Sequence, residues 1–359
     1  MNMGPQNLVP GRRRLHPRKL DLRSGAITLA HGAGGRLTAQ LIDELIKPAF
    51  ANAALDAGDD QARLAVPAGR LVVSTDGFVV SPLEFAGGDI GTLAVHGTLN
   101  DIAMAGAVPL SLTCGLILEE GLPLSTLERI IASMARCARE AGVPIVTGDT
   151  KVVERGKGDG IFITTTGIGM IPDGLAEPPA CTRARPGDAV LVSGFLGDHG
   201  TAILAARGEL PLQVPVASDS AALHGLVAAM LAAVPGVRTL RDPTRGGLSA
   251  ALNEIAWSSG VGFVIEEAAL PIRPAVDAAC ELLGLDPLTL ANEGKLLAIC
   301  PREDAAALLA AMKAHPLGHD AAIIGSVTAD PQCFVQLATT TGGRRMIDWL
   351  AGDALPRIC

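Results

Sequence analysis

Four aspartates, Asp76, Asp101, Asp149 and Asp242, stand among small or apolar residues, where an isolated carboxylate is costly unless it is paired or bound to a cation. Asp76 and Asp149 follow β-branched runs in rhyming contexts, Val72-Val73-Ser74-Thr75-Asp76-Gly77 and Ile145-Val146-Thr147-Gly148-Asp149-Thr150, and Asn100 adjoins Asp101. Oxygen donors at strand ends suit a hard cation such as Mg2+ with its waters. Taken singly, each aspartate also fits turn or cap duty.

Two glycine-rich segments offer backbone that welcomes anions. Asp242-Pro243-Thr244-Arg245-Gly246-Gly247 leads into Leu248, Leu252 and Ile255 at helical spacing, so free amides gather beside an arginine at a helix start. His31-Gly32-Ala33-Gly34-Gly35-Arg36 has the same logic after a short apolar run. Neither matches the GxxxxGK(S/T) loop or the GxGxxG fingerprint. Lys151, close after Asp149, has the chemistry to neutralise phosphoryl charge, and Glu293, beside the apolar run of residues 296–300, that of a desolvated base. Both also read as ordinary loop residues. His199, in Asp198-His199-Gly200, is the one histidine with an interesting setting; His315 and His319 are separated by Pro316 and Gly318 and make no helical metal pair.

The seven cysteines, at 114, 137, 181, 280, 300, 333 and 359, form neither CxxC pairs nor zinc spacing, which fits a reducing compartment. Cys359 is the last residue, too late for a prenylation box. A terminal thiol on a tail of about eight residues, at most about 29 Å when extended, suits a carrier that visits sites in turn.

The elements that must position these groups alternate between short β-branched runs and Ala/Leu-rich stretches, the pattern of an α/β protein. Strands are expected at 27–30, 71–75, 143–147, 161–168 and 189–193. A helix face of Leu37, Leu41, Ile42 and Leu45 should end before Pro48, and Ser125 with Glu128 should cap a second helix that Gly142 stops. The Pro/Gly/Ala-rich stretch 171–187 reads as a linker, and Thr339 to Gly343 as a break before a tail. The expected organisation is a basic, disordered extension over 1–24, domains over 25–172 and 188–338 joined by a linker over 173–187, and a mobile tail over 339–359.

Length and composition agree: 359 residues suggest two domains, and 48% hydrophobic residues supply their cores. A net charge of −8, no tyrosine and only seven Phe and two Trp argue against nucleic-acid binding. The basic N-terminus lacks an apolar secretory core, and residues 220–237 read as an amphipathic helix, not a membrane span. A soluble, cytoplasmic protein is expected.

Read together, His31-Gly32-Ala33-Gly34-Gly35, Thr75-Asp76-Gly77-Phe78, Gly97-Thr98-Leu99-Asn100-Asp101, Gly148-Asp149-Thr150-Lys151, Gly197-Asp198-His199-Gly200, Asp242-Pro243-Thr244-Arg245-Gly246-Gly247, Asn292-Glu293-Gly294 and the terminal Pro356-Arg357-Ile358-Cys359 resemble the HypE family of nickel–iron hydrogenase maturation proteins. The resemblance runs from about Ile27 to Cys359; only the basic extension departs from it. It implies a two-domain α/β fold like that of aminoimidazole ribonucleotide synthetase (PurM-like), with a flexible C-terminal tail, and a homodimer built through the N-terminal domains. It implies a reaction too. A carbamoyltransferase, HypF, loads a carboxamide onto Cys359, and the protein dehydrates it with ATP to a thiocyanate, whose cyanide passes to iron on a HypC–HypD scaffold. Amide oxygen leaves poorly until it is phosphorylated, while a base must take the nitrogen protons.

On that reading Asp76, Asp101, Asp149 and Asp242 organise Mg2+, and Asn100, Arg245, Gly34, Gly35 and Thr150 bind the nucleotide. Lys151 stabilises phosphoryl charge, Glu293 is the base, His199 faces substrate, and Cys359 carries it. Two rivals remain: a small-molecule kinase or synthetase of the same fold, and a non-catalytic assembly factor read through its C-terminal peptide.

Overall fold

The structure is a computed structural model that describes residues 19–57, 59, 61–210, 216–349 and 357–359. Most of the expected N-terminal extension, and residues 350–356 of the expected tail, lie outside the described residues.

The N-terminal domain is built on four strands, β1 (Arg70–Phe78), β2 (Val108–Glu119), β3 (Ile145–Val153) and β4 (Ile161–Ile171), in the order β1-β4-β2-β3. Only β2 and β3 run parallel. One face is covered by helices α1 (Ile90–Met104) and α2 (Leu124–Ala141), whose Leu93, Leu99, Leu127, Ile130 and Ile131 are fully buried. The other face is open. On β1 this gives strict alternation, with Leu71, Val73 and Thr75 exposed and Val72, Ser74 and Asp76 half-buried.

The C-terminal domain is a seven-stranded sheet of β5 (Ala189–Val192), β6 (Thr239–Arg241), β7 (Gly262–Glu266), β8 (Leu297–Cys300), β9 (Ala322–Thr328), β10 (Val335–Ala338) and β11 (Arg344–Met346), ordered β11-β10-β7-β9-β5-β8-β6. Helices α3 (Asp198–Ala206), α4 (His224–Ala233), α5 (Gly247–Ser259), α6 (Pro274–Leu283) and α7 (Ala305–Ala314) complete it. Strand β5 shows why both faces are covered: Val190 and Val192 pack with α5, whereas Ala189 and Leu191 pack with α4 and α7. Ala103 and Met104 from the end of α1 join that second core, so the two domains share a packed interface.

Several local expectations are corrected. Residues 27–30 are not a strand; Leu29–His31 is a short 3-10 turn, with Ile27 buried. The first helical stretch does not stop before Pro48: a π turn over Ile42–Ile46 lets the proline fall near the start of Lys47–Phe50, where a missing N–H is tolerated. Helix α2 begins after Pro123, so Ser125 lies inside it and caps nothing, while Gly142 at φ 70° ends it as expected. The mobile tail does not begin at 339, because β11 pairs with β10 and Ile347 is buried. At the other end, Leu20 and Leu22 of the expected extension pack against the N-terminal core.

Candidate active site

Helix α1, N-capped by Asp89, is laid across the inner face of β1. Thr98 and Asp101, three apart on α1, meet Asp76 and Ser74, two apart on β1: Thr98 donates to Asp76 at 2.8 Å and Ser74 to Asp101 at 2.7 Å. The Asp76 and Asp101 carboxyls are themselves in hydrogen-bonding contact. Burial, then the charge of Asp101, raises the Asp76 pKa.

From the other domain comes the turn 242–247. Asp242 is buried, and burial with the nearby Asp101 raises its pKa to about 7. Gly247, at φ +59°, is boxed in: a Cβ there would lie 2.5 Å from the carbonyl oxygens of Leu288 and Leu290, so the helix can start here only on glycine. Arg245 beside it favours the charged forms of Asp76, Glu293 and Cys359.

Glu293 is 4% exposed and holds its proton well above the ordinary glutamate range, through burial first and then the charges of Asp242 and Asp219. Its Oε1 has no hydrogen-bond partner among the described residues. The Cys359 thiol lies beside the Glu293 carboxyl, and burial followed by the charge of Glu293 pushes the thiol pKa up.

The tail reaches this point as an added strand segment. Ile358 bridges Val80, Val79 N–H donates to the Cys359 carbonyl oxygen and Ser81 N–H to that of Arg357. Ile358 is buried in the N-terminal core, and the Arg207 guanidinium donates 2.8 Å bonds to the Arg357 and Ser81 carbonyls.

The expected site residues therefore divide. Asp76, Asp101, Asp242, Arg245, Glu293 and Cys359 are brought together. Asn100 is beside them but spent on structure: its amide donates to the carbonyls of Ala221 and Glu293 and accepts from Leu223 N–H, so it holds the Glu293 loop. His199 is fully buried, bonded through Nδ1 to Ser218 and through Nε2 to the Ile358 carbonyl, and burial lowers its pKa. Instead of facing substrate, it holds the tail.

Asp149 and Lys151 do not join, and Thr150, in the inward row of Phe78, Ile163 and Leu116, sits on β3 at the opposite edge of the sheet from Asp76. Rows of paired residues show why: Asp76, Thr165, Cys114 and Gly148 face inward, whereas Asp149 belongs to the next row with Gly77, Thr164 and Gly115, on the open face. The rhyme of β1 with β3 is thus offset by one residue, and one ion cannot take both Asp76 and Asp149 of a single chain. Lys151 pairs with Asp149 at 2.6 Å on the surface, holding its carboxyl below the usual range. The turn with Gly34 and Gly35 lies against β3, since Gly32 packs on Val152; a Cβ on Gly34 or Gly35 would meet nothing within 4 Å.

Sequence reasoning missed Ser218, Asp219, Lys295 and Arg207. Asp219 accepts the Glu293 N–H at 3.0 Å and pairs with Lys295 at 3.2 Å, the Asp219 side chain buried and that of Lys295 half-buried. No motif marks them; the only signal was a charged Lys295 directly before a fully apolar strand.

The AIR synthase related protein family matches the chain twice, its N-terminal domain over residues 58–171 and its C-terminal domain over 185–338. Carbamoyl dehydratase HypE of Cupriavidus necator is 63% identical over 345 residues, covering 96% of this chain and 98% of that one. A crystal structure of hydrogenase maturation protein HypE in complex with ATP is similar with a TM-score of 0.88 at 50% identity, over 92% of this chain and 99% of that chain. The crystal structure of a HypE–HypF complex matches at TM-score 0.76 and 47% identity, over 86% and 99%. With both domain families in order and such identity along nearly its whole length, this chain belongs to the HypE family of carbamoyl dehydratases.

Proposed function

We propose that the chain is an ATP-dependent carbamoyl dehydratase of hydrogenase maturation that acts on an S-carboxamide carried by its own Cys359, leaving a thiocyanate as the source of the iron's cyanide ligand. The observation that carries this reading is the packing of the half-buried Cys359 side chain against Glu293, beside Arg245 and Asp242.

The chemistry needs the amide C–O bond broken and two N–H protons removed while the S–C bond stays intact. ATP, which the HypE crystal structure contains, supplies the phosphoryl group with which the oxygen departs. Glu293, with one carboxyl oxygen unpartnered and a raised proton affinity, takes an N–H proton at a stage when it is itself ionised. Arg245 favours that ionised form, and the bonds from Val79, Ser81, His199 and Arg207 fix the carboxamide beside it.

Magnesium fits the donor set. Asp76 and Asp101 crowd one another, and Asp242 adds a third nearby charge that a cation would relieve. Among the described residues no group of three or more His, Cys, Asp or Glu is preassembled for a metal. That suits an ion held by one or two carboxylates, waters and substrate phosphates.

The open face of the N-terminal sheet supports a homodimer. Leu71 and Val73 are 57% and 58% exposed there, with Val108 and Ile117 beside them. In a homodimer closed on this face, Asp149 and Lys151 lie at the subunit boundary, with Thr150 and the Gly34–Gly35 turn close by along edge strand β3, where they approach nucleotide phosphates. HypF supplies the carboxamide, in line with the HypE–HypF complex, and a HypC–HypD scaffold receives the cyanide. Seven free cysteines fit a reducing, cytoplasmic setting, and among the described residues no helix is long and apolar enough to cross a membrane.

Removing Cys359 tests the reading. Cys359→Ala should bind ATP yet lose all productive turnover; sustained turnover with a free small molecule would instead identify a kinase or synthetase of this fold.

A further inference from the structure

We infer that residues 218–221 are the positioning device of the site, with Ser218 setting the acceptor tail through His199 and Asp219 setting Glu293 through its backbone amide. The inference rests on the dehydratase reading above and names residues that the motif reading did not reach.

The tail link consists of two bonds. His199 Nε2 lies 2.8 Å from the Ile358 carbonyl oxygen, which can only accept, so Nε2 carries the ring proton. Nδ1 is then an acceptor, and the Ser218 hydroxyl donates to it at 2.8 Å. Ser218 is itself anchored, its N–H donating to Ala86 at 2.7 Å and its hydroxyl oxygen accepting from Ser220 N–H at 3.2 Å.

The link to Glu293 is one bond. Asp219 Oδ1 accepts the Glu293 N–H at 3.0 Å, while Lys295, at 3.2 Å from Oδ2, also donates to the Gly294 carbonyl. Asn100 then donates to the carbonyls of both Ala221 and Glu293. The fit leaves no slack: a Cβ on Gly294 would lie 1.8 Å from the Asp219 carbonyl oxygen. Acceptor and base come from the end of the chain and from residue 293, yet a single peptide unit, Ser218-Asp219, fixes one relative to the other. The charged and titratable groups around Glu293 are Asp242, Asp219, Arg245 and the Cys359 thiol, with Lys295 behind Asp219.

The two neighbours should fail differently. In Ser218→Ala the tail loosens: Cys359 should be alkylated about tenfold faster, and single-turnover dehydration of the loaded tail should slow about tenfold. In Asp219→Ala the tail stays docked through His199, so alkylation should rise by less than about threefold while dehydration falls about a hundredfold. ATP affinity should not move in either. Because Asp219→Ala strands Lys295, Asp219→Asn with Lys295→Met is made beside it; the amide oxygen still accepts from Glu293 N–H, and dehydration should return to within about threefold of the wild type.

Parallel changes of both readouts in both variants, no change in either, or failure of the double variant to recover would overturn the inference. A wild-type protein whose Cys359 is never carbamoylated would instead contradict the dehydratase reading, so the two failures are separable.

Discussion

The half-buried Cys359 thiol lies against the buried Glu293 carboxyl, which strengthens the thiol's hold on its proton. Thiolate is the nucleophile, so a docked Cys359 is a poor one. Loading with a carboxamide therefore belongs to the undocked tail and dehydration to the docked tail. Alkylation by iodoacetamide near neutral pH should be at least about tenfold slower at Cys359 in the folded protein than in a free peptide of the same C-terminal residues. Equal rates would show that the contact does not restrain the thiol.

Glu293→Gln keeps the shape of the side chain and removes the proposed base. Single-turnover dehydration should fall by about 10²–10⁴-fold, with the carboxamide accumulating intact on Cys359. The wild-type rate should rise with pH, because burial, Asp242 and Asp219 favour the protonated acid and only the ionised form can accept a proton. Its acid limb should lie above the range of an ordinary glutamate. A flat profile, or near-normal dehydration by the variant, would place the base elsewhere.

Asp242 makes a prediction about stability. Its carboxyl titrates near pH 7 when folded, against an ordinary value of 3.8, so the stability that its neutral form permits is present below about pH 4 and lost as pH rises through 7. In the absence of nucleotide and divalent cations, Asp242→Asn should be more stable than wild type by about 1–3 kcal/mol at pH 8, with no advantage near pH 4. Denaturant unfolding at the two pH values measures this; an advantage independent of pH would contradict it.

The open sheet face predicts assembly. Placing Asp at both Leu71 and Val73 puts two charges where the proposed homodimer would close; light scattering should report a dimer for the wild type and a monomer for this variant at the same concentration. Thermal unfolding should change little, since both side chains are exposed in the single chain. A dimer unaffected by the double substitution would assign the interface to another surface.

Much of the site was legible because its chemistry depends on residue types that chain geometry isolates: a terminal cysteine, a glycine pair at a helix start, carboxylates among apolar neighbours. What misled was register. Asp76 and Asp149 sit in matching local sequences, but one residue of offset between β1 and β3 turns their side chains to opposite faces, and only long-range pairing decides that. His199 kept its place in the site and changed its part, because a histidine buried between a serine and a carbonyl has no free nitrogen for substrate. Ser218 and Asp219 were invisible for a related reason. Their partners are a histidine 19 residues away and a backbone amide 74 residues away, and neither bond leaves a trace in periodicity.

The most direct test of the account follows the mass of the intact protein. After incubation with the carbamoyl-donating partner, the chain should carry one carboxamide on Cys359, and addition of ATP should convert it to a species lighter by one water. An unmodified thiol throughout, or a carboxamide that ATP leaves unchanged, would contradict it.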